Sequence, residues 1–394
     1  GWVHLYSIAA AGGTPLLLTP GGFSFQGTVT PTPDRKAVLY ASNENDIDRR
    51  HIWRVDVDRP DPVALTTGAS IEWAPVVTGD GATVVCLGST ATTPAMPYRV
   101  TRERREPIAA SAMPADYPSA QFVTPQQVVF KSLDGLEVHG QLFVPRGRLQ
   151  HSPALVFMHG GPPRQMLLGF HPMDAYNYMY AANEYLASRG FVVLSVNYRL
   201  SILYGRAFRE PEHAGPGGAS EYQDIVAGAK YLQALPYVDP QKIGLWGGSY
   251  GGYLTALGLA RNSDIFKAGV DYAGVHDWTA LLGGGSAGGG EAAARSEAVK
   301  IAYQSSPVAS IDTWTSPVLL IQADDDRNVP FSQTVNLVPL LYEHHVPYQV
   351  IVFPDEVHDS LLWQTWVRIF AATGDFFEQT LVKGEVVPGI SPAD

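Results

Sequence analysis

Two patterns of apolar and polar residues divide this chain, and each predicts a different kind of structure. From residue 1 to about 117, short alternating stretches are separated by Gly, Pro, Asp and Thr, which predicts short antiparallel strands joined by turns. From residue 118 onward, continuous apolar runs alternate with longer stretches of helical periodicity. Apolar runs of this kind predict strands buried on both faces of a mainly parallel sheet, with helices covering both faces.

The predicted elements of the second region alternate along the chain. The predicted strands are Ala154–Met158, Phe191–Val196, Lys242–Trp246, Ala268–Tyr272, Val318–Ile321 and Tyr348–Val352. The predicted helices are Ala175–Ser188, Ser220–Ala234, Tyr253–Arg261, Ser332–His344 and Trp363–Phe377. In a sheet of this class the active site lies at the carboxyl ends of the strands.

A repeat of 46 or 47 residues runs through the first region. His4–Ile8 is similar to His51–Val55, and the turn Thr32–Asp34 is similar to Thr78–Asp80. A four-stranded propeller blade takes about 40–50 residues, so residues 1–117 are predicted to form about two and a half blades of an incomplete β-propeller. Two blades cannot close a ring. Either further blades lie in sequence absent here, or the region is a small antiparallel sandwich. The predicted domains are 1–117 and 118–394.

Composition narrows the classes of function. With 394 residues, 45% hydrophobic and 16% charged, the chain is predicted to be globular with two cores. Its net charge of −11 argues against nucleic acid or an anionic membrane as a partner. No run reaches the ~18 apolar residues of a membrane span, and no signal segment opens the chain. We therefore expect a soluble protein, with cytoplasmic and exported locations left open.

The most informative segment reads KIGLWGGSYGG, from Lys242 to Gly252. It predicts a buried strand, a serine framed by glycines, and then a helix. This Gly-x-Ser-x-Gly arrangement is typical of a nucleophile elbow, a tight turn that lifts one serine hydroxyl above the sheet. Ser249 is therefore the predicted nucleophile.

A serine hydroxyl needs a base, and the base needs an orienting acid. His358 follows the last predicted strand, in the expected chain order and at the same edge of the sheet as Ser249. The acid is expected among the three aspartates at 324–326, of which some must meet solvent or Arg327 because adjacent carboxylates repel. The backbone N–H groups of Tyr250 and Gly161 are the predicted oxyanion donors.

The region from about residue 121 to 383 resembles the catalytic domain of the prolyl oligopeptidase family, in its dipeptidyl-peptidase and acylaminoacyl-peptidase branches. The matching motifs are His159–Pro162, Asn197–Arg199, Trp246–Gly252, Asp326–Pro330 and Pro354–His358. The resemblance implies an α/β-hydrolase fold preceded by a propeller. It also selects Asp326 as the acid, four residues before Pro330. Tyr250, Val275, Trp278, Asn328 and Val329 are implied to line the substrate pocket.

Two departures from the family pattern stand out. Gln322-Ala323 occupies the place of a usual His-Gly, and Leu200–Leu203 replaces a Gly- and Ser-rich turn. The partial propeller also leaves open whether the enzyme would act as an exopeptidase.

The predicted function is a serine peptidase that hydrolyses peptide bonds of oligopeptides through an acyl-enzyme. An esterase or acyl hydrolase on the same scaffold remains an alternative, as does a non-catalytic binding module. No metal and no cofactor is expected, and the Gly-x-Gly-x-x-Gly string at Gly283–Gly288 is interpreted as a loop, because no apolar strand precedes it. The expected partner is a peptide substrate. Homo-oligomerisation or association with a missing propeller segment, the preferred residue at the cleavage site and the compartment are left open.

Overall fold

The computed structural model describes residues 1–101, 105–147, 149–281 and 297–385, and the chain divides into two units. The first unit comprises Gly1–Gln126, Gln165–Ala181 and Ile202–Arg209. The second comprises Gln127–Arg164, Ala182–Ser201 and Glu210–Asp394. The domain boundary placed after residue 117 stays a prediction, and the glycine string at Gly283–Gly288 lies outside the described residues.

The first unit contains antiparallel sheets, as its alternating pattern predicted. Its strands are β1 (Tyr6–Ser7), β2 (Leu16–Leu17), β3 (Phe25–Pro31), β4 (Ala37–Ser42), β5 (His51–Asp56), β6 (Val63–Ala64), β7 (Ile71–Val77), β8 (Val84–Ser89), β9 (Met96–Val100) and β10 (Arg105–Pro107). They form a β1-β2 pair and two four-stranded sheets, ordered β3-β4-β5-β6 and β10-β9-β8-β7.

The sequence repeat is visible in the geometry of the two four-stranded sheets. The Thr32 hydroxyl donates to Asp34 at 2.7 Å in the turn between β3 and β4. The Thr78 hydroxyl donates to Asp80 at 2.5 Å in the turn between β7 and β8. Equivalent turns in equivalent places show that the repeat corresponds to two similar four-stranded units.

The second unit is built on one eight-stranded sheet. Its strands are β11 (Gln126–Lys131), β12 (Glu137–Phe143), β13 (Ser152–Met158), β14 (Val192–Asn197), β15 (Val238–Gly248), β16 (Phe266–Tyr272), β17 (Val318–Ala323) and β18 (Tyr348–Phe353). Their order is β11-β12-β14-β13-β15-β16-β17-β18. The neighbours from β14 to β18 pair in parallel, whereas β12 pairs with β14 antiparallel. All six residues of β14 and of β17 are buried, as continuous apolar runs predict.

The described helices are close to the sequence predictions. They are α1 (Asp174–Ser188), α2 (Arg206–Arg209), α3 (Tyr222–Gln233), α4 (Tyr250–Arg261), α5 (Trp278–Leu281), α6 (Glu297–Gln304), α7 (Ser332–Glu343) and α8 (Trp363–Phe377). The main difference concerns α4, which begins at Tyr250 and not at the predicted Tyr253. The predicted start was late because Gly251 and Gly252 have low helix propensity.

Candidate active site

Ser249 lies in the turn between β15 and α4. Its backbone has φ 58° and ψ −117°, a conformation that is rare for a residue with a side chain. The Ser249 N–H donates to the carbonyl of Tyr272, the last residue of β16, at 2.7 Å. The strained backbone is therefore held by a hydrogen bond to the neighbouring strand, and it places the serine at the N-terminus of α4.

The glycines around Ser249 allow a very close approach between the turn and β13. A Cβ on Gly247 would lie 2.4 Å from the carbonyl oxygen of Met158, and a Cβ on Gly251 would lie 2.0 Å from the same atom. Both distances are shorter than any contact that a real Cβ makes. The Gly-x-Ser-x-Gly pattern is thus required by packing as well as by the turn.

The same contact brings the loop after β13 to the first turn of α4. The carbonyl of His159 lies 3.2 Å from the position of a Cβ on Gly251. Gly161, two residues further on, has φ 114°, which favours glycine. Tyr250 is the first residue of α4, where backbone N–H groups have no partner within the helix. The two predicted oxyanion donors therefore belong to neighbouring segments.

Asp326 and His358 form a direct pair beyond the ends of β17 and β18. His358 Nδ1 donates to Asp326 Oδ2 at 2.6 Å, with the Asp326 carboxylate fully buried and the His358 side chain 11% exposed. Asp326 Oδ1 accepts the backbone N–H groups of Asn328 and Val329, each at 2.9 Å. The carboxylate thus fixes both its own loop and the imidazole.

The other two aspartates of the run have different surroundings. Asp325 is exposed and pairs with Arg327 at 3.2 Å, as predicted for part of this run. Asp324 accepts the backbone N–H of Asp355 at 2.8 Å. Among the three carboxylates, Asp326 is the one in contact with His358.

No hydrogen bond joins Ser249 to His358 in the part of the chain that the structure describes. The hydroxyl of Tyr272 instead donates to the main-chain carbonyl of His358, and the Tyr272 main chain holds Ser249 from the other side. Hydrogen bonds between nucleophile and base are often long or poorly aligned without substrate. All three predicted catalytic residues nevertheless follow parallel strands of one sheet, at the carboxyl ends of those strands.

Gln322 supports the acid, a contact that sequence reasoning missed. Its Nε2 donates to the carbonyl of Val329 at 2.7 Å and lies 3.4 Å from Asp326 Oδ2, while its Oε1 accepts the hydroxyl of Thr334 at 2.5 Å. The departure from the usual His at this position was the available signal. An amide here donates to the acid loop.

Four of the five predicted pocket residues belong to one apolar core cluster: Tyr250, Val275, Val329 and, packed against it, Trp278. The rings of Tyr250 and Trp278 have centroids 6.0 Å apart, and Trp278 also meets Tyr253 edge-on at 5.1 Å. Asn328, the fifth predicted pocket residue, precedes Val329 in the chain, and its backbone N–H donates to Asp326.

A buried carboxylate, also missed from sequence, holds the Tyr250 side chain. The Tyr250 hydroxyl donates to Glu221 Oε1 at 2.6 Å, and the Gly215 N–H donates to the two carboxylate oxygens at 3.2 and 3.1 Å. Burial raises the pKa of Glu221 and also raises the pKa of Tyr250. Glu221 and Tyr250 are 29 residues apart, and no local pattern links them.

His159 is fully buried and contacts Tyr198, a member of the apolar core cluster that contains Tyr250. Its ring stacks on Tyr198 with centroids 4.5 Å apart, and its Nε2 lies 2.9 Å from the hydroxyl of Ser201. Burial lowers the pKa of His159 to about 4, so the ring is neutral near pH 7. His159 therefore supports the loop that carries Gly161 without adding charge.

Within the described ranges, no helix combines the length and apolar character needed to cross a membrane. The same ranges contain no group of three or more His, Cys, Asp or Glu side chains that could hold a metal ion.

Comparison with protein families finds a match to the model of the prolyl oligopeptidase family over residues 177–384, more than half of the chain. Acylamino-acid-releasing enzyme 2 of Oryza sativa subsp. japonica is 26% identical over 256 residues, covering 61% of this chain and 32% of that protein. Dipeptidyl aminopeptidase BIII of Pseudoxanthomonas mexicana is 28% identical over 239 residues, covering 58% of this chain and 33% of that protein. The chain thus spans about a third of the length of these curated relatives.

The solved structures with similar folds include two peptidases. A puromycin-hydrolyzing peptidase of Mycobacterium tuberculosis aligns with a TM-score of 0.80 and 26% identity, covering 97% of this chain and 60% of that one. Dipeptidyl peptidase 4 of Porphyromonas gingivalis aligns with a TM-score of 0.76 and 22% identity, covering 96% of this chain and 53% of that one. These alignments confirm the predicted fold class, an α/β-hydrolase unit with an all-β region before it.

Proposed function

Since the chain belongs to the prolyl oligopeptidase family, we propose that it is a serine peptidase that hydrolyses peptide bonds of oligopeptides through an acyl-enzyme. The observation that carries this proposal is the buried Asp326–His358 hydrogen bond of 2.6 Å, located at the same sheet edge as the strained Ser249 turn. A serine, a carboxylate and an imidazole in this chain order have the composition of a catalytic triad.

In the proposed reaction, Ser249 Oγ attacks the scissile carbonyl carbon while His358 Nε2 takes the hydroxyl proton. Asp326 holds the proton of His358 Nδ1, so that Nε2 is free to act as the base, and its charge stabilises the imidazolium that forms. The tetrahedral intermediate then collapses, and His358 returns the proton to the leaving amine. Water, activated by the same imidazole, hydrolyses the acyl-enzyme and regenerates Ser249.

The oxyanion of the tetrahedral intermediate would be bound by the backbone N–H groups of Tyr250 and Gly161. The N-terminus of α4 adds the positive end of its dipole at the same place. We assign Val275, Trp278, Asn328 and Val329, together with the Tyr250 ring, to the pocket for the side chain before the scissile bond. The buried aromatic and branched residues among them favour an apolar side chain there.

The names of the relatives support the proposed substrate class. One is named an acylamino-acid-releasing enzyme and another a dipeptidyl aminopeptidase. We propose oligopeptides as substrates of this chain, of either the dipeptidyl-peptidase or the acylaminoacyl-peptidase type. Free-amino and acetylated peptides with the same sequence distinguish the two types.

The test combines active-site labelling with turnover of matched substrates. A fluorophosphonate should label the chain, and Ser249→Ala should abolish labelling and lower amide turnover by about 10⁶-fold, because a triad acts as a unit. The exposed Ser188→Ala serves as the control and should leave both unchanged.

The pattern of activity decides between the proposal and its alternatives. Hydrolysis of a peptide amide supports the peptidase. Hydrolysis of the matching ester alone favours an acyl hydrolase. Absence of labelling means that the site is not assembled in this chain, which supports a non-catalytic binding module.

A further inference from the structure

His276 follows β16 and is buried, with contacts to both β16 and α7. Its Nε2 lies 2.7 Å from Asp271 Oδ2 in β16, and its Nδ1 lies 3.0 Å from the main-chain carbonyl of Gln333 in α7. A carbonyl oxygen can only accept a hydrogen bond, so His276 Nδ1 carries a proton and donates a hydrogen bond to the Gln333 carbonyl. Asp271 and His276 are each 1% exposed, so this chain of contacts is closed to solvent.

The side chain of Gln333 makes three further hydrogen bonds, all to the main chain of His276 and Asp277. Its Oε1 accepts the backbone N–H groups of His276 at 2.7 Å and of Asp277 at 2.9 Å. Its Nε2 donates to the carbonyl of Asp277 at 3.1 Å. Gln333 is 3% exposed, and its amide satisfies one main-chain group of the buried His276 and two of the half-buried Asp277.

The segment held in this way carries two of the predicted pocket residues. Val275 precedes His276 and is 4% exposed, while Trp278 follows Asp277 and meets the rings of Tyr250 and Tyr253. Residues 275–278 thus form one wall of the candidate pocket, which we call the 275–278 wall. A loop has few conformational restraints of its own, so its position depends on the contacts that fix its backbone.

We propose that Gln333 is a positioning residue that determines specificity, because its side-chain amide fixes the 275–278 wall against α7 and so sets the shape of the pocket. His276 completes the fastening by linking the same wall to β16 through Asp271. Gln333 acts through the wall and does not touch substrate. This inference rests on the proposed peptidase function and concerns the pocket for the side chain before the scissile bond.

The experiment compares two substrates that differ only in that side chain, phenylalanine or alanine, presented as otherwise identical peptide p-nitroanilides. Gln333→Met keeps the side-chain length and removes the three hydrogen bonds. We expect KM to rise about tenfold for the phenylalanine substrate and less than about twofold for alanine, with kcat changed less than about threefold, because only a large side chain reaches the wall.

Gln333→Glu provides the conservative comparison. Its carboxylate still accepts from the N–H groups of His276 and Asp277 but cannot donate to the Asp277 carbonyl, so we expect part of the lost affinity for phenylalanine to return. Thr373→Val is the matched control, since it removes a buried hydrogen bond of 2.8 Å to Ile369 inside α8, away from the wall. It should lower thermal stability without changing the ratio of the two KM values.

Labelling by a small fluorophosphonate separates the two proposals. It does not require a large side chain in the pocket, so Gln333→Met should label at the rate of the unaltered chain. An equal KM change for both substrates, with labelling intact, would overturn the role of Gln333 and leave the peptidase standing. An unaltered chain that neither labels nor hydrolyses either substrate would overturn both.

Discussion

The Asp326 carboxylate uses both of its oxygens in ways that its neighbours cannot. One oxygen orients His358, and the other accepts two N–H groups of its own loop. Asp325 meets Arg327 at the surface, and Asp324 accepts a single N–H from Asp355. The three aspartates are chemically identical, and only their positions give them different contacts. Substitutions at these positions should therefore have different effects on turnover.

We expect Asp326→Asn to lower kcat by about 10⁴-fold, because an amide can donate to His358 Nδ1 and stabilise the wrong tautomer of the imidazole. Asp325→Asn is the matched control and should change kcat less than about twofold. Steady-state turnover of a peptide anilide measures both. Comparable losses in the two variants would contradict the assignment of Asp326 as the acid.

His159 should make the stability of the chain depend on pH. Burial lowers its pKa from 6.5 to about 4, so the unfolded chain binds a proton that the folded chain does not. The stability that comes from burying a neutral His159 is fully present above pH 6.5, the ordinary pKa of histidine, and is lost as the pH falls toward 4. Between pH 7 and pH 5 the free energy of unfolding should fall by about 2 kcal/mol from this group.

Urea unfolding of the chain and of His159→Asn at pH 7 and pH 5 measures that contribution as a difference. The variant should lose less stability on acidification than the unaltered chain. His345→Asn, at an exposed histidine, should follow the unaltered chain. Equal losses in all three proteins would show that His159 contributes nothing to the pH dependence.

At the scale of elements, the β15–α4 turn depends on its contact with β13. The positive φ of Ser249, the hydrogen bond from its N–H to Tyr272 and the glycines against Met158 describe one rigid junction of three strands and a helix. Its geometry does not depend on the serine side chain. The junction can therefore be disturbed without touching any catalytic group.

Gly251→Ala should abolish fluorophosphonate labelling, because its Cβ would lie 2.0 Å from the carbonyl oxygen of Met158 and must push α4 away from β13. Gly217→Ala is the control, since a Cβ there meets nothing within 4 Å. Near-UV circular dichroism reports whether the variant is folded. A folded Gly251→Ala that labels normally would contradict the proposed rigidity.

At the scale of the whole molecule, the chain enters the first unit three times. Residues 165–181 belong to that unit, where the backbone N–H of Phe170 donates to Thr90 at 3.1 Å and the Tyr180 hydroxyl donates to Ala91 at 2.9 Å. Phe170 is 3% exposed in this setting. A cut at a single point in the sequence therefore cannot separate the two units cleanly.

A fragment of residues 127–394 should expose the apolar side chains of Leu167, Leu168 and Phe170, which lose their neighbours in the first unit. We expect stronger binding of a hydrophobic dye and more self-association than for the whole chain. Replacing these three residues by serine in the fragment should reduce both effects. A monomeric fragment with no excess dye binding would contradict this expectation.

Much of the sheet and of the candidate site follows from the sequence by itself. Continuous apolar runs predict β13 to β18, because strands buried on both faces need no polar side. The glycine-framed Ser249 predicts the turn, and the position of His358 after the last strand predicts its place at the same edge. The family motifs then select Asp326, whose contact with His358 the structure shows.

Only the tertiary structure decided which distant side chains support these groups. Glu221 beneath Tyr250, Gln322 beside Asp326 and Gln333 on the 275–278 wall are joined to their partners by contacts between separate elements. The same holds for residues 165–181, which pack in the first unit although they lie between strands of the second. Local patterns record whether a residue is buried and in which element it lies. They do not record which buried polar groups face each other, because that depends on how the elements pack in space.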